Sequence, residues 1–463
     1  MFATSVSGSK ADPRSLPEVH ESIQTLEGKP WWRRFLAFAG PAFLVSVGYM
    51  DPGNWGTDLA GGSRFGYTLL WVIFASNLMA QFLQVLCVKL GLVTGKDLAM
   101  ACRDYYKRPA AMAMWVLCEL AIIATDLAEV VGSAVALNLL FGIDLVVGVV
   151  ITGFDVLLLL GLMRFGFRKL EAIILTLVAT IFGCFAFQLW LARPDWGGVL
   201  HGTFVPAIPN AEALLISVGI LGATVMPHNL YLHSSVVRTR KTGSSEPELR
   251  KAITYNRADT IVALSFAFFV NAAILVLAAA VFGSRGVVVE ELQSGQELLR
   301  AALGGAAGTA FAVALLASGQ SSTLTGTLAG QIVMEGFLQI RIKPWLRRLV
   351  TRVLAIVPAI VLISASGGRD TVQLLVISQV VLSMQLPFAI IPLIAVTSDP
   401  NRMGPFVNSP FVKWIGYATA LLILGLNAYL LYETVGVIWV LLSLIVVGAF
   451  AAYVRYVYKE RPA

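Results

Sequence analysis

A chain of 463 residues with 57% hydrophobic and only 13% charged residues has a mean hydropathy of +0.78, whereas soluble domains carry about 25% charged residues. Its apolar blocks run to about 20 residues, the length that crosses a hydrocarbon core as a helix. These features exclude a soluble enzyme, a disordered scaffold and a disulfide-stapled secreted domain, and the roughly ten-residue alternating strands of an outer-membrane barrel are not seen. The net charge of +7 reflects basic residues gathered in loops on one side of a membrane, and it asks for no nucleic-acid partner.

Residues 1–33 are polar, contain Pro13 and Pro17, and lack an apolar signal-peptide core. They read as a mobile cytoplasmic tail. Hydropathy then predicts an all-α polytopic membrane protein of twelve spans, near 34–61, 65–93, 109–141, 145–163, 168–192, 211–238, 252–282, 303–339, 346–365, 371–396, 411–432 and 434–456. The eighth is long enough for part of it to extend beyond the bilayer. With the N-terminus inside, the inside segments hold 29 of the 34 Lys and Arg residues and the outside segments only 5, as the positive-inside rule requires. Merging or splitting one span would scramble that alternation, so both termini are expected in the cytoplasm. Cys87, Cys102, Cys118 and Cys184 have no metal-type spacing and read as small buried hydrophobes.

Two spans carry the same interruption. The first reads Gly48-Tyr49-Met50-Asp51-Pro52-Gly53-Asn54-Trp55, the sixth Ala223-Thr224-Val225-Met226-Pro227-His228-Asn229-Leu230. Each sets a proline in mid-span with an asparagine close behind. Proline removes a backbone donor and disfavours helical geometry in the residue before it, and Gly53 loosens the first break further. Two corresponding proline-broken helices, five spans apart, point to an inverted-repeat transporter whose binding site lies between the breaks near the midplane.

The breaks liberate carbonyl oxygens at Gly48 and Ala223, beside the Asp51 carboxylate, the Asn54 amide and the Met226 thioether. A carboxylate with carbonyl oxygens asks for a cation, and a charge at this depth costs several kcal/mol, so it is functional. Oxygen ligands alone suit Mg2+ or Ca2+; a thioether shifts the preference to Mn2+ or Fe2+.

The third span holds Glu119, Asp126 and Glu129. Positions 119 and 126 lie about 20° apart around the helix, with 129 some 60° further on, so the three acids share one face. Buried acidic stripes mark proton relays, with His228 and Arg352 as expected partners. His233 points elsewhere, toward an inner vestibule. Asp155 in the fourth span is read as a helix-packing hydrogen bond, and the Ser/Thr tract 321–327 as polar contacts between helices.

Asp51-Pro52-Gly53-Asn54 and Met226-Pro227-His228-Asn229 resemble the paired signatures of the Nramp (natural resistance-associated macrophage protein) divalent metal transporters. The stretch Gly319-Gln320-Ser321-Ser322-Thr323-Leu324-Thr325-Gly326-Thr327, running on to Gly336, resembles that family's third signature. The resemblance covers residues 34–396 and implies a LeuT-like inverted 5+5 repeat, with halves at about 34–192 and 211–396, followed by helices eleven and twelve and a short tail over 397–463. It implies proton-coupled import of Mn2+ and Fe2+, with Cd2+ and Co2+ also accepted. It places Asp51, Asn54, Met226 and the Ala223 carbonyl on the metal, with Gly48 and Gln379 joining in some states. Asp51, Asp126, Glu129, His228 and Arg352 match its proton route, and Glu119 and Arg240 an extension of it. The family's magnesium-carrying branch departs at the methionine, which this chain keeps. Where this chain has Gly48 the family usually has alanine, a change expected to leave the carbonyl in place on a looser backbone.

An amino-acid or Na+ symporter on the same fold would want no resident acid, so Asp51 counts against it. A non-transporting sensor or receptor would show decayed site residues or a large soluble appendage. No cofactor, catalytic residue or obligate protein partner is expected, only metal ion, proton and lipid. The expected location is a prokaryotic plasma membrane.

Overall fold

The computed structural model describes residues 20–24, 30–155, 167–340, 342–366 and 370–435. In chain order the helices are α1 (Trp31–Phe38), α2 (Pro41–Ser46), α3 (Pro52–Phe65), α4 (Leu70–Thr94), α5 (Leu98–Tyr105), α6 (Arg108–Phe141) and α7 (Leu145–Thr152). After them come α8 (Phe167–Ala192), α9 (Trp196–Phe204), α10 (Ala211–Val225), α11 (Pro227–Val236), α12 (Glu246–Val281) and α13 (Leu292–Leu303). The last are α14 (Gly305–Leu338), α15 (Pro344–Ser366), α16 (Thr371–Gln385), α17 (Pro387–Thr397), α18 (Pro400–Met403) and α19 (Pro410–Val435).

Eight helical stretches among the described residues are long and apolar enough to cross a membrane. Two expected spans fail that measure for visible reasons: the first is broken into α2, a 3-10 turn at Gly48–Met50 and α3, and the eighth, α14, carries the Ser/Thr tract. The fourth expected span is described only as far as Asp155, and the twelfth lies almost wholly outside the described residues. The tenth has a break the hydropathy does not reveal, at Leu386 between α16 and α17.

The N-terminal tail is partly anchored. Ile23–Gln24 (β1) pairs in parallel with Arg240–Lys241 (β2), and Glu21 N donates to Arg238 O at 2.9 Å. Residues 20–24 therefore lie on the same side of the membrane as the segment that follows the sixth span.

The sixth span is the most enclosed: 94% of its apolar window is buried, against 33% for the stretches Arg168–Ala192, Leu346–Ala365 and Pro410–Thr434. Helices buried all round belong at a core and those buried on one side face lipid. The core thus holds α10 and α11, packed against α3, α4 and α16, with α6 and α14 running side by side behind them.

Candidate metal site

Helix α3 begins at Asp51, whose backbone is extended (φ −68°, ψ 165°) and whose Oδ1 accepts from Asn54 N at 2.9 Å. Asp51 is thus an N-cap, the position where a carboxylate satisfies an unpaired amide. Each proline frees the carbonyl four residues before it, because it has no N–H to donate. For Pro52 that carbonyl is Gly48, left with a 3.4 Å contact from Asp51 N; for Pro227 it is Ala223. Between α10 and α11, Met226 adopts φ +36° and ψ 104°, a conformation that costs a residue with a side chain about 1–3 kcal/mol. Such strain collects at functional sites.

The two breaks touch. A Cβ on Gly48 would lie 2.3 Å from Asn229 Nδ2 and 3.2 Å from Met226 Sδ, so the backbone of the first break lies against the side chains of the second. Asn229 Nδ2 reaches Val45 O and Met226 Sδ, both at 3.5 Å. Gly48 is therefore close-packed against the second break. Gln379 sits between the breaks: a Cβ on Gly53 would meet its Nε2 at 1.9 Å, and one on Gly222 its carbonyl oxygen at 2.0 Å. Pro52 rests on Gly132 of α6, and Ser318 Oγ donates to Met50 O at 2.5 Å.

Asp51, Asn54, Met226, Ala223 and Gln379 are all at most 1% exposed. Asp51 Oδ2, Asn54 Oδ1, Gln379 Oε1, Asn229 Oδ1, Thr224 Oγ1 and His228 Nδ1 have no hydrogen-bond partner among the described residues. Buried polar atoms are ordinarily bonded, and these six exceptions lie at or beside the breaks. Among the described residues no group of three or more His, Cys, Asp or Glu could hold a metal; a site here would rest on one carboxylate, amide and carbonyl oxygens, and a thioether. Asp58, which sequence reasoning missed, is a second acid on this helix: 1% exposed, with Oδ2 unpartnered. Its spacing of seven from Asp51 was the available signal, since i and i+7 share a helix face.

A second buried polar group lies behind the first, between α6, α7, α14 and α15. Arg348 Nη1 pairs with Asp126, and its Nη2 with Glu129 Oε2 at 2.8 Å. Arg352 Nη1 lies 3.2 Å from the same Glu129 oxygen, and its Nη2 pairs with Asp155. Thr323 Oγ1 bridges Glu129 Oε2 at 3.0 Å and Arg352 Nη2 at 2.9 Å. Room comes from α14 glycines: a Cβ on Gly326 would lie 3.2 Å from Glu129 Oε1, and one on Gly330 1.8 Å from Arg347 Nη1.

Of the expected partners, Arg352 pairs with Glu129 but reaches Asp126 only at its backbone carbonyl, at 3.4 Å, and His228 hydrogen-bonds to neither acid among the described residues. Arg348, not anticipated, joins the two acids, and its signal was the i,i+4 spacing to Arg352. Asp155 forms an ion pair rather than the expected packing hydrogen bond. Glu119 stands one pair apart, on Arg347 at 2.8 Å and Trp115 Nε1 at 3.2 Å. Arg240 is not brought to this group. It is fully buried on Glu171 of α8 (2.6 Å) and donates to the carbonyls of Ala39 (2.6 Å) and Ala37 (3.3 Å), where it anchors the start of the first span. His233 does not reach a vestibule either: it is 1% exposed, and its Nδ1 lies 2.9 Å from Gln84 Oε1, whose amide Nε2 donates to Tyr49 OH at 2.8 Å.

Residues 42–433 match the sequence profile described as natural resistance-associated macrophage protein-like, Nramp. The chain belongs to the Nramp family. A Nostoc sp. relative, named divalent metal cation transporter MntH, is 55% identical over 425 residues, 91% of this chain and 96% of its own. The solved Nramp-like structure of the Eremococcus coleocola manganese transporter matches with a TM-score of 0.85 at 40% identity, over 95% of this chain and 97% of that one. Mhp1, a nucleobase-cation-symport-1 family transporter, shares the fold at a TM-score of 0.56 and 15% identity, over 96% and 97% of the two chains. This Nramp chain is a multi-pass, all-α integral membrane protein of LeuT-like architecture.

Proposed function

We propose that this chain imports divalent transition-metal ions, Mn2+ and Fe2+ foremost and Cd2+ and Co2+ as well, in symport with protons by alternating access. One observation carries the reading: partnerless buried oxygens of Asp51, Asn54 and Gln379 gather around two touching helix breaks that also present the Met226 sulfur. The Nostoc and Eremococcus relatives, named a divalent metal cation transporter and a manganese transporter, point the same way.

In this reading Asp51 supplies the charge, and Asn54 and the carbonyls of Ala223 and Gly48 supply hard donors. The Met226 thioether tips selection toward transition metals, and Gln379 closes on the ion from α16. Protons leave by His228 and the chain of Asp126, Glu129 and Arg352, with Glu119 beyond them. Asp51 belongs to both routes, so metal and proton compete for one carboxylate. The anchoring of the first span to Glu171 makes Arg240 a structural contact rather than a relay. Nothing is transformed at the site, and no cofactor is called for.

The test is Mn2+ uptake into proteoliposomes with Mg2+ and Ca2+ as competitors and a pH dye inside, wild type beside Met226→Ala. Mn2+ should enter with acidification, and Met226→Ala should narrow the preference for Mn2+ over Ca2+ and Mg2+ by about tenfold, the low end of what a perturbed metal site loses. Absence of Mn2+ entry, or equal competition by Mg2+ in the wild type, overturns the substrate assignment.

A further inference from the structure

The buried ion pairs form a linear chain: Asp126, Arg348, Glu129, Arg352, Asp155. An acid stands at each end, so three carboxylates face two guanidiniums, and the fully ionised chain carries one negative charge in excess. All five side chains are at most 5% exposed. An unbalanced charge in such surroundings is costly. Each acid also keeps one buried oxygen without a hydrogen-bond partner among the described residues: Asp126 Oδ2, Glu129 Oε1 and Asp155 Oδ1. The Thr323 hydroxyl reaches Glu129 at 3.0 Å and Asp155 at 3.5 Å but has one proton to give, so it cannot satisfy both.

Other titratable and charged groups pack around the chain. His228 of α11 and Asp51 at the first break are near enough to interact electrostatically with Asp126 and Glu129 respectively. Arg347 of α15 is matched by Glu119 of α6. Among the described residues, α14 contributes Thr323 and Gly326 here and no charge, and the segment that follows α7 contributes only Asp155.

We propose that Asp155 is the positioning residue that sets this balance: it holds Arg352 against Glu129, and its charge gives the chain room for one shared proton. The inference rests on the proton-coupled reading above. Without Asp155 the chain becomes two acids on two guanidiniums, fully paired, and a proton finds no excess charge to meet. The end acid thus makes a structural ion-pair cluster able to take up and release a proton.

Mn2+ uptake against external pH in proteoliposomes, for wild type, Asp155→Asn and Asp155→Glu, tests this. Acid-stimulated uptake in the wild type is the premise; if it is absent, the symport reading fails before this one is reached. Given the premise, Asp155→Asn should move the midpoint of the pH profile down by about one pH unit, the lower end of the effect of one neighbouring charge, and cut the protons entering per Mn2+. Asp155→Glu, which restores the charge, should return the midpoint toward wild type. A purely structural role would instead lower the maximal rate of both variants with the midpoint in place, and that result overturns the proposal. Infrared spectroscopy of the purified wild type adds a measurement independent of how the variants fold: a band from a protonated buried carboxyl is expected near neutral pH, and its absence overturns the proposal equally.

Discussion

Two buried polar clusters, both built on α-helices at membrane depth, handle charge in opposite ways. At the breaks one carboxylate, Asp51, stands without an ion-pair partner among the described residues, next to partnerless oxygens of Asn54 and Gln379. Behind it, Asp126, Glu129 and Asp155 are each held by Arg348 or Arg352. The first cluster leaves its carboxylate without a counter-charge, and the second is built of ion pairs. The third proline break shows that the open state is not a by-product of proline alone. Pro387 leaves Ser383 O without its helical donor, yet Asn427 of α19 supplies one at 3.1 Å. Among the described residues, the carbonyls freed by Pro52 and Pro227, those of Gly48 and Ala223, receive no such side-chain donor from a neighbouring span.

The difference predicts opposite responses to removal of one charge. The largest expected effect is on transport: Asp51→Asn should reduce Mn2+ uptake at least about a hundredfold, the upper end of losses when even an outer metal partner is removed. Its thermal stability in detergent should be equal to or above wild type, because a buried charge without a counter-charge is replaced by a neutral amide. Arg348→Ala should act the other way on stability, lowering it by about 3–5 kcal/mol, since it leaves Asp126 and half of Glu129 buried and unpaired. Melting curves of the two variants decide the matter. If Asp51→Asn melts as far below wild type as Arg348→Ala does, the Asp51 carboxylate holds the fold together as the ion pairs of the second cluster do.

A smaller effect separates the breaks from their packing. Gly222→Ala would drive a Cβ to 2.0 Å from the carbonyl oxygen of Gln379 and 2.8 Å from Ser383 N. Both are backbone atoms of α16 that cannot swing aside. The expected cost is about 1–3 kcal/mol, as for overpacking in a well-filled core, with a fall in Mn2+ affinity as Gln379 is pushed off the breaks. A shift in melting with no change in affinity would remove Gln379 from the ligand set.

Much of this was legible in the sequence, for reasons that differ by residue. The paired motifs fixed both breaks because proline's missing N–H acts locally, whatever the tertiary context. The stripe of Asp126 and Glu129 was legible because helical periodicity is rigid. What escaped depended on contacts between distant segments. Arg348 reads as one more basic residue of a cytoplasmic loop until α15 is packed on α6. Asp155 has no motif, and its meaning comes from Arg352, 197 positions away. Arg240 resembles a relay residue by position but is drawn to Glu171 by the geometry of the first span. The tail strand Ile23–Gln24 is too short for any pattern to announce it, and the break at Leu386 is hidden because Pro387 sits in an otherwise unbroken apolar run.

Gly48→Ala is the mildest change that bears on the comparison. By the Cβ distance alone it resembles Gly222→Ala, since the new atom would lie 2.3 Å from a neighbour. The neighbour, however, is the amide nitrogen of Asn229, at the end of a rotatable side chain held only by two 3.5 Å contacts. A short rotation of that amide relieves the contact, and alanine loses less conformational freedom than glycine on ordering. The expected change in stability is therefore within about 0.5–1 kcal/mol, and the Gly48 carbonyl stays where it was. Mn2+ affinity, read by isothermal titration, should then change by less than about threefold, or about 0.7 kcal/mol. A tenfold loss with unchanged melting would mean that the orientation of Asn229, and not only the backbone of the first break, shapes the coordination of the ion.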